Sequence, residues 1–162
     1  MDERAEILDL LRENARYSVA DLARMTGLDE DEAAAAVEVL EAEGVVRGYQ
    51  AVVDWGQWAD EPVQAHVELN VTLDRETSYR DIADRIAKFS EVRSLRLVSG
   101  DYDFSLEVEA ETMGEVSRFV SEKVAPVPEI TQTVTHYIMD TYKDDGIVFD
   151  DEDDDERLSV TP

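Results

Sequence analysis

Apolar residues in the first third of the chain recur every three or four positions, which is the spacing of one face of an α-helix. Ile7, Leu8 and Leu11 predict a first helix over residues 2–14. Two more helices are indicated by capping boxes, in which two residues three positions apart bond each other's backbone N–H groups. The boxes are Ser18 with Asp21 and Asp29 with Glu32. Three short helices with a glycine turn between the last two predict a helix-turn-helix.

The segment that follows the third helix is rich in valine and other residues that favour strands. Residues 45–53 therefore predict a strand, which would serve as a wing or as a linker between domains. The glycine and tryptophans of residues 54–61 then indicate a hinge. We expect a first domain over residues 1–54 that holds the winged helix-turn-helix and its linker strand.

Beyond the hinge the period changes to two, which is the spacing of a strand with one buried face. The predicted strands are at 63–74, 92–99, 104–110 and 130–142, and helices begin at capping boxes around Ser78 and Thr112. The resulting order, β-α-β-β-α-β, predicts a ferredoxin-like domain over residues 55–143. The fold class of the whole chain is therefore α+β, with the winged helix-turn-helix first and the ferredoxin-like domain second.

Negative charge is spread over the whole chain. The 162 residues include 40 acidic and 15 basic ones, which gives a formal net charge of −25. Residues 1–54, 55–143 and 144–162 carry −9, −8 and −8, so the acidity does not come from a tail alone. Such an acidic coat suits an extreme halophile, whose salt screens the repulsion; a mesophilic protein with a basic partner is the alternative. The unbroken acidic run at 150–156 predicts that residues 144–162 are a disordered tail.

The sequence lacks the signatures of most catalytic and metal sites. It contains no cysteine, which excludes disulfides, thiolate zinc sites and a cysteine nucleophile. His66 and His136 do not have the spacing of a zinc site, and we expect them to be packed or interface residues. There is neither a run of 18 apolar residues nor a basic leader. We therefore expect a cytoplasmic protein that is not an enzyme and uses no metal or cofactor.

Several short stretches, in this order and spacing, resemble the Lrp/AsnC (feast/famine) family of transcriptional regulators over residues 2–143. They are Ile7-Leu-Asp-Leu-Leu, Leu22-Ala-Arg-Met-Thr-Gly-Leu, Leu40-Glu-Ala-Glu-Gly-Val-Val-Arg-Gly-Tyr, Ser99-Gly-Asp-Tyr-Asp-Phe and Ile138-Met-Asp-Thr-Tyr-Lys. The resemblance implies an N-terminal DNA-binding domain and a C-terminal sensor domain. It also implies that the sensor sheets pair into homodimers, which often assemble further, and that an amino acid or similar effector binds near the Gly-Asp-Tyr-Asp turn.

The third predicted helix, which would read DNA in such a regulator, is acidic. No basic residue lies between Arg24 and Arg47, and Ala35 and Ala36 stand where the resemblance leads us to expect arginine. Binding to double-stranded DNA would then depend on shape, thymine methyl contacts and flanking arginines. The alternative is a co-regulator or metabolite sensor that does not touch DNA and acts through mixed oligomers with a relative. The candidate DNA-binding residues are Arg16, Ser18, Arg24, Asp31, Glu32, Ala34, Ala35, Glu38 and Arg47.

The Gly-Asp-Tyr-Asp turn has the chemistry of an amino-acid site. Gly100 would let backbone N–H groups approach a ligand carboxylate, while Asp101 and Asp103 could accept hydrogen bonds from an ammonium group. A plain hairpin turn is the alternative, because glycine and aspartate are also the usual turn residues. The candidate effector-binding residues are Ser99, Gly100, Asp101, Tyr102, Asp103, Thr133 and Thr135.

Overall fold

The computed structural model describes residues 3–149. The chain divides into two compact units, with the boundary between Val52 and Val53. Helices occupy the first unit, and the second combines a sheet with helices, so the α+β class is confirmed. Among the described residues, no helix is long and apolar enough to cross a membrane.

The first unit contains the three expected helices. They are α1 (Glu3–Glu13), α2 (Val19–Thr26) and α3 (Glu30–Ala42). Both predicted capping boxes are formed, and Gly27 ends α2 in the left-handed conformation at φ 76°. Five side chains from the three helices form the buried core: Ile7, Leu22, Ala23, Ala33 and Leu40. The helix-turn-helix is therefore confirmed, and it is positioned by local caps and a small shared core.

The predicted strand at residues 45–53 is wrong. The backbone N–H groups of Val45 and Val46 both donate to the carbonyl of Leu40, which closes the C-terminus of α3. The following residues, up to Val53, are irregular, and no described segment pairs with them as a strand. A valine-rich segment becomes a strand only where a partner supplies hydrogen bonds, and a run of β-branched residues does not reveal whether that partner exists.

The second unit opens with a 3₁₀ turn and then follows the predicted order. Its elements are Trp55–Gln57 (the turn), β1 (Val63–Val71), α4 (Tyr79–Ile86), β2 (Val92–Leu97), β3 (Phe104–Ala110), α5 (Met113–Phe119) with a π-helical turn at Val120–Val124, and β4 (Ile130–Tyr137). The sheet order is β2-β3-β1-β4 with every neighbouring pair antiparallel. This is the ferredoxin-like arrangement that the sequence predicts. The last strand ends at Tyr137, five residues before its predicted end.

The two faces of this sheet differ in polarity. One face carries the buried side chains of β1 and β3 and is covered by α4, α5 and the π-helical turn. The other face, which we call the open face, carries the alternate residues. Its side chains include Gln64, His66, Glu68, Asn70, Glu107, Glu109, Gln132 and His136. The strict alternation along β1 therefore separates an apolar core from a polar surface.

A small hairpin corrects the prediction that the acidic tail begins at residue 144. Strands β5 (Lys143–Asp144) and β6 (Ile147–Val148) pair around Asp145 and Gly146. Both turn residues have positive φ, 43° and 83°, as a two-residue type I′ turn requires. The Asp-Gly signal was thus present in the sequence, although the surrounding acidic residues suggested a tail. The acidic run at 150–156 and the rest of the predicted tail lie outside the described residues.

Candidate DNA and effector sites

The start of α2 is held by its own side chains. The hydroxyl of Ser18 accepts from the backbone N–H of Asp21 at 3.1 Å and donates to the Asp21 carboxylate at 2.7 Å. The hydrogen bonds from Ser18 lower the pKa of the Asp21 carboxyl, and Arg24, 3.5 Å away, lowers it further. Ser18 and Arg24 are candidate DNA contacts, but in this structure both are engaged by the same aspartate.

Exposure along α3 defines the face that could meet DNA. Asp31, Ala35 and Glu38 are exposed and Ala34 is partly exposed, whereas Ala33 and Leu40 are buried. Glu32 is also a candidate DNA contact, but it has a structural role. Its carboxylate accepts a hydrogen bond of 3.1 Å from the N–H of Asp29 and completes the cap of α3. The exposed face of α3 therefore consists of short alkyl groups and carboxylates.

Within residues 3–149, two of the five arginines in the first unit have no carboxylate partner. Three form ion pairs: Arg4 with Glu43 at 3.5 Å, Arg12 with Asp9 at 3.6 Å, and Arg24 with Asp21. Arg16 and Arg47 are exposed, and within residues 3–149 neither guanidinium has a carboxylate oxygen within 4 Å. These two cations are the ones available to an external anion.

The C-terminal side of α3 positions one of these cations. The guanidinium of Arg47 lies against the backbone of Gly44, so close that a Cβ at that position would be 3.1 Å from its Cζ. Nearby, the hydroxyl of Tyr49 donates to Glu41 at 2.7 Å, and this hydrogen bond raises the pKa of Tyr49. Glycine at position 44, which has φ 70°, thus leaves room for the arginine side chain.

The Gly-Asp-Tyr-Asp turn is anchored to the neighbouring strand by Asp103. Its backbone N–H donates to the carbonyl of Leu69 and its carboxylate accepts from the N–H of Val71, both at 2.9 Å. Gly100 has φ 120°, which favours glycine, and no atom lies within 4 Å of a Cβ built there. Asp101 is exposed. One aspartate therefore holds the turn in place, and the other is exposed.

The two threonine candidates lie on β4, which β1 separates from this turn. Thr133 is opposite Leu69 and Thr135 is opposite Val67 in the β1–β4 register, so both are on the helix-covered face of an edge strand. Tyr102 instead reaches the open face, where its hydroxyl is 3.5 Å from the Nε2 of His66. The structure brings residues 99–103 together as a turn, and it does not place either threonine hydroxyl in hydrogen-bond contact with them.

An amide pair beside the turn was missed by the sequence analysis. Asn70 donates to the side-chain oxygen of Gln132 at 3.3 Å on the open face. The hydroxyl of Thr131 also donates to the carbonyl of Asn70, at the point where the β1–β4 register shifts. A register shift depends on pairing between distant strands, and so alternation within one strand could not reveal this cluster.

The chain's two histidines are direct cross-strand partners on the open face. The rings of His66 and His136 stack with centroids 6.0 Å apart, and the Nε2 of His136 is 3.3 Å from a carboxylate oxygen of Glu68. Within the described residues, no three histidine, aspartate or glutamate side chains converge as a metal site. The histidines therefore belong to a polar network on the sheet surface.

Comparison with known proteins places both units in one family. The Lrp/AsnC ligand-binding domain matches residues 64–148, and a winged helix-turn-helix DNA-binding domain matches residues 4–47. The HTH-type transcriptional regulator YugG of Bacillus subtilis is 38% identical over 162 residues, covering 99% of this chain and 98% of that protein. The chain belongs to the Lrp/AsnC family. It is a helix-turn-helix transcriptional regulator with a ligand-binding domain, in a family of regulators and not of enzymes.

Other regulators extend this similarity. The leucine-responsive regulatory protein of Haemophilus influenzae is 27% identical, covering 85% of this chain and 82% of that protein. The leucine response regulatory protein of Mycobacterium tuberculosis has a TM-score of 0.74 at 22% identity, covering 90% and 96% of the two chains. A Neisseria meningitidis regulator solved with L-Met has a TM-score of 0.69 at 22% identity, covering 89% and 92%. The solved structures share the fold.

The Lrp/AsnC match also extends past residue 143, where the sequence analysis ends the second domain. It ends at residue 148, which is the last residue of β6. The hairpin at 143–148 therefore lies within the segment that matches the Lrp/AsnC ligand-binding domain.

Proposed function

We propose that this Lrp/AsnC regulator binds double-stranded DNA with α3 in the major groove and with Arg16 and Arg47 on flanking phosphates. The observation that carries the proposal is that these two arginines, alone among the five in the first unit, have no carboxylate partner within the described residues. Phosphate contacts supply most of the affinity of DNA-binding proteins, and a guanidinium that is already paired contributes less to them. Two further candidates, Ser18 at the N-cap of α2 and Arg24 on α2, need the Asp21 contacts to open first.

Replacing both unpaired arginines tests this assignment. The double variant Arg16→Gln, Arg47→Gln is expected to bind all sequences more weakly, and the slope of log K against log salt should shrink by about two. Filter binding or electrophoretic shift with genomic fragments over a range of KCl concentrations measures both quantities.

A matched control removes a paired arginine from the same unit. Arg12→Gln takes away one positive charge that Asp9 already neutralises, and we expect its slope to stay that of the unchanged protein. If both variants lose affinity equally, then net charge and not phosphate contact is responsible. If the unchanged protein shows no saturable binding at any salt, the co-regulator alternative replaces this proposal.

We further propose that an amino acid binds at the 99–103 turn and alters DNA affinity or oligomeric state. The Neisseria relative solved with L-Met supports an amino-acid ligand. In this chain, Asp101 is the exposed carboxylate that can accept from an α-ammonium group, and the open backbone at Gly100 can face an α-carboxylate. Asp103 already accepts a hydrogen bond from Val71 of β1, and it holds the turn that carries Gly100 and Asp101. Thr133 and Thr135 are weaker candidates, because they lie on β4 and β1 separates them from the turn.

An effector should stabilise the folded protein. At about ten times its dissociation constant, an amino acid that binds only the native state is expected to raise the melting temperature by several degrees. Asp101→Asn should abolish that shift while leaving the unliganded melting temperature nearly unchanged, because Asp101 is exposed and makes no structural hydrogen bond in the described chain. Differential scanning fluorimetry against the twenty amino acids measures the shift.

A second aspartate variant provides the control for that experiment. Asp60→Asn removes the same charge from an exposed position before β1, and it should keep the full ligand shift. A flat response of the unchanged protein to all twenty amino acids would contradict the amino-acid assignment. A shift that survives Asp101→Asn would move the site away from this turn.

We infer that the protein acts in a salt-rich cytoplasm as a homodimer or larger homo-oligomer. We include in this proposal mixed assembly with a family relative. The open face supports pairing of two sheets, because its polar residues contact one another across strands and another copy could extend these contacts. The even distribution of acidic residues supports the salt-rich setting. Light scattering in molar KCl would reveal the assembly, and a monomeric mass would contradict it.

A further inference from the structure

The side chains of α3 include no hydrogen-bond donor. The helix reads Glu-Asp-Glu-Ala-Ala-Ala-Ala-Val-Glu-Val-Leu-Glu-Ala, so its ionised polar groups are carboxylates, which only accept. Its exposed face contains Asp31, Ala35 and Glu38, spaced four and three residues apart along one side. Recognition helices usually carry donors such as arginine or asparagine, and the chemistry of this face is therefore unusual and restrictive.

The major groove presents each base with a fixed set of donors and acceptors. Guanine shows two acceptors, N7 and O6, which require a donor from the protein. Cytosine shows a donor at N4, adenine a donor at N6 beside the N7 acceptor, and thymine a C5 methyl group beside the O4 acceptor. A helix with carboxylates and methyl groups can engage the cytosine and adenine donors and the thymine methyl, but its side chains cannot bond to guanine.

From this we propose that α3 selects its operator through thymine methyls and exocyclic amino groups, without reading guanine. Ala34 and Ala35 would contact thymine methyls, and the carboxylate of Glu38 would accept from the N4 of cytosine or the N6 of adenine. The inference rests on the proposed function, because it requires α3 to enter the groove. It concerns only which base edges the helix recognises.

The rest of the first unit does not change this expectation. The donors on either side of α3 are already engaged within the unit: Arg24 is 3.5 Å from Asp21, Arg47 packs against Gly44, and the hydroxyl of Tyr49 donates to Glu41. In helix-turn-helix complexes the first helix crosses the backbone, so donors there meet phosphates and not base edges. Guanine contacts would therefore have to come from outside α3.

Base analogues test the proposal without altering the protein. High-affinity duplexes are first selected from a random-sequence pool in molar KCl, and each position of the selected site is then replaced. Deoxyuridine in place of thymidine, which removes only the methyl group, should weaken binding about fourfold at each contacted position. The guanine analogue 7-deazaguanine, which removes the N7 acceptor, should leave affinity within about twofold of the original. A large loss with 7-deazaguanine, or no loss with any deoxyuridine, would overturn the inference.

A variant of α3 supplies the second arm. Glu38→Gln introduces a side-chain donor, so repeated selection should yield adenine at one position and sensitivity to 7-deazaadenine there, because glutamine can bond adenine N6 and N7 together. Glu13→Gln removes the same charge from exposed α1 and should select the original site. If both variants select the original site with the original sensitivity to 7-deazaadenine, then Glu38 reads no base.

These outcomes separate the two proposals. A protein that selects a site, but selects it through guanine, refutes the inference on α3 and leaves DNA binding in place. A protein that selects no duplex at any salt refutes both, since the recognition helix then has no DNA to read.

Discussion

Replacing Phe104 by alanine is expected to reduce the free energy of unfolding of the second unit by about 3–5 kcal/mol. The side chain is 1% exposed and follows directly after the Gly-Asp-Tyr-Asp turn. Its ring meets the edge of Tyr79 at a centroid distance of 6.0 Å, and it lies in the core beneath α4 and α5. Chemical denaturation in 2 M KCl, followed by circular dichroism, measures the change. A loss of this size approaches the whole stability of a small domain.

The neighbouring strand offers a matched control. Leu97 is opposite Phe104 in the β2–β3 register, but it is 55% exposed. Leu97→Ala should therefore change the free energy of unfolding by less than about 1 kcal/mol. Comparable losses at the two positions would mean that Leu97 is covered by a partner in solution, and a small loss at Phe104 would contradict the described core.

Raising KCl from 0.1 M to 2 M is expected to increase the melting temperature substantially. The formal charge of −25 makes the folded state repel itself, and the Debye length falls from about 10 Å at 0.1 M to about 3 Å at 1 M. Relief of ~2 kcal/mol of repulsion corresponds to a rise in melting temperature of roughly 8–16 °C for a domain of 60–100 residues, and of roughly 4–8 °C for one of 150–250 residues. A thermal scan over a KCl series checks the prediction.

The shape of that salt series identifies the cause. Screening is largely complete near 1 M, so most of the rise should occur below that concentration. A rise that continues linearly to several molar would indicate solvent exclusion by the salt as the main effect. A melting temperature that does not depend on KCl would contradict the inference that this protein works in high salt.

Helix starts were predicted accurately because their determinants are local. All four predicted capping boxes are formed, including Ser78 with Asp81 and Thr112 with Glu115 in the second unit. Each box involves residues three apart, and its hydrogen bonds depend only on those residues and the backbone between them. The caps, together with the switch in hydrophobic period, were sufficient to predict the helix-turn-helix and the ferredoxin-like order.

Two errors in secondary structure concern pairing between segments. Val45 and Val46 have strand propensity, but their N–H groups close the end of α3 and no described segment pairs with the residues that follow. Lys143 and Ile147 lie in an acidic region, yet the Asp-Gly turn brings their strands together. In each case the outcome depends on whether a partner strand is available, and the composition of one segment does not contain that information.

Only part of the candidate effector site was predicted, because its contacts also depend on pairing between distant segments. The sequence located the turn at residues 99–103 and the chemistry of its aspartates, but it treated Asp101 and Asp103 alike. The structure distinguishes them, because only Asp103 bonds to the N–H of Val71 on another strand. Likewise, Thr133 and Thr135 could be assigned to a strand but not to a face, since the face depends on the register with β1.

The arrangement of the chain's only two histidines provides a spectroscopic reporter of the open face. His66 and His136 stack on each other there, and no other imidazole contributes to the histidine region of an NMR spectrum. Their ring proton signals therefore report on that surface without selective labelling. If a second copy covers the open face, dilution should shift or sharpen these two sets of signals together. Assembly could thus be followed at the sheet surface itself, separately from any event at the effector turn or the recognition helix.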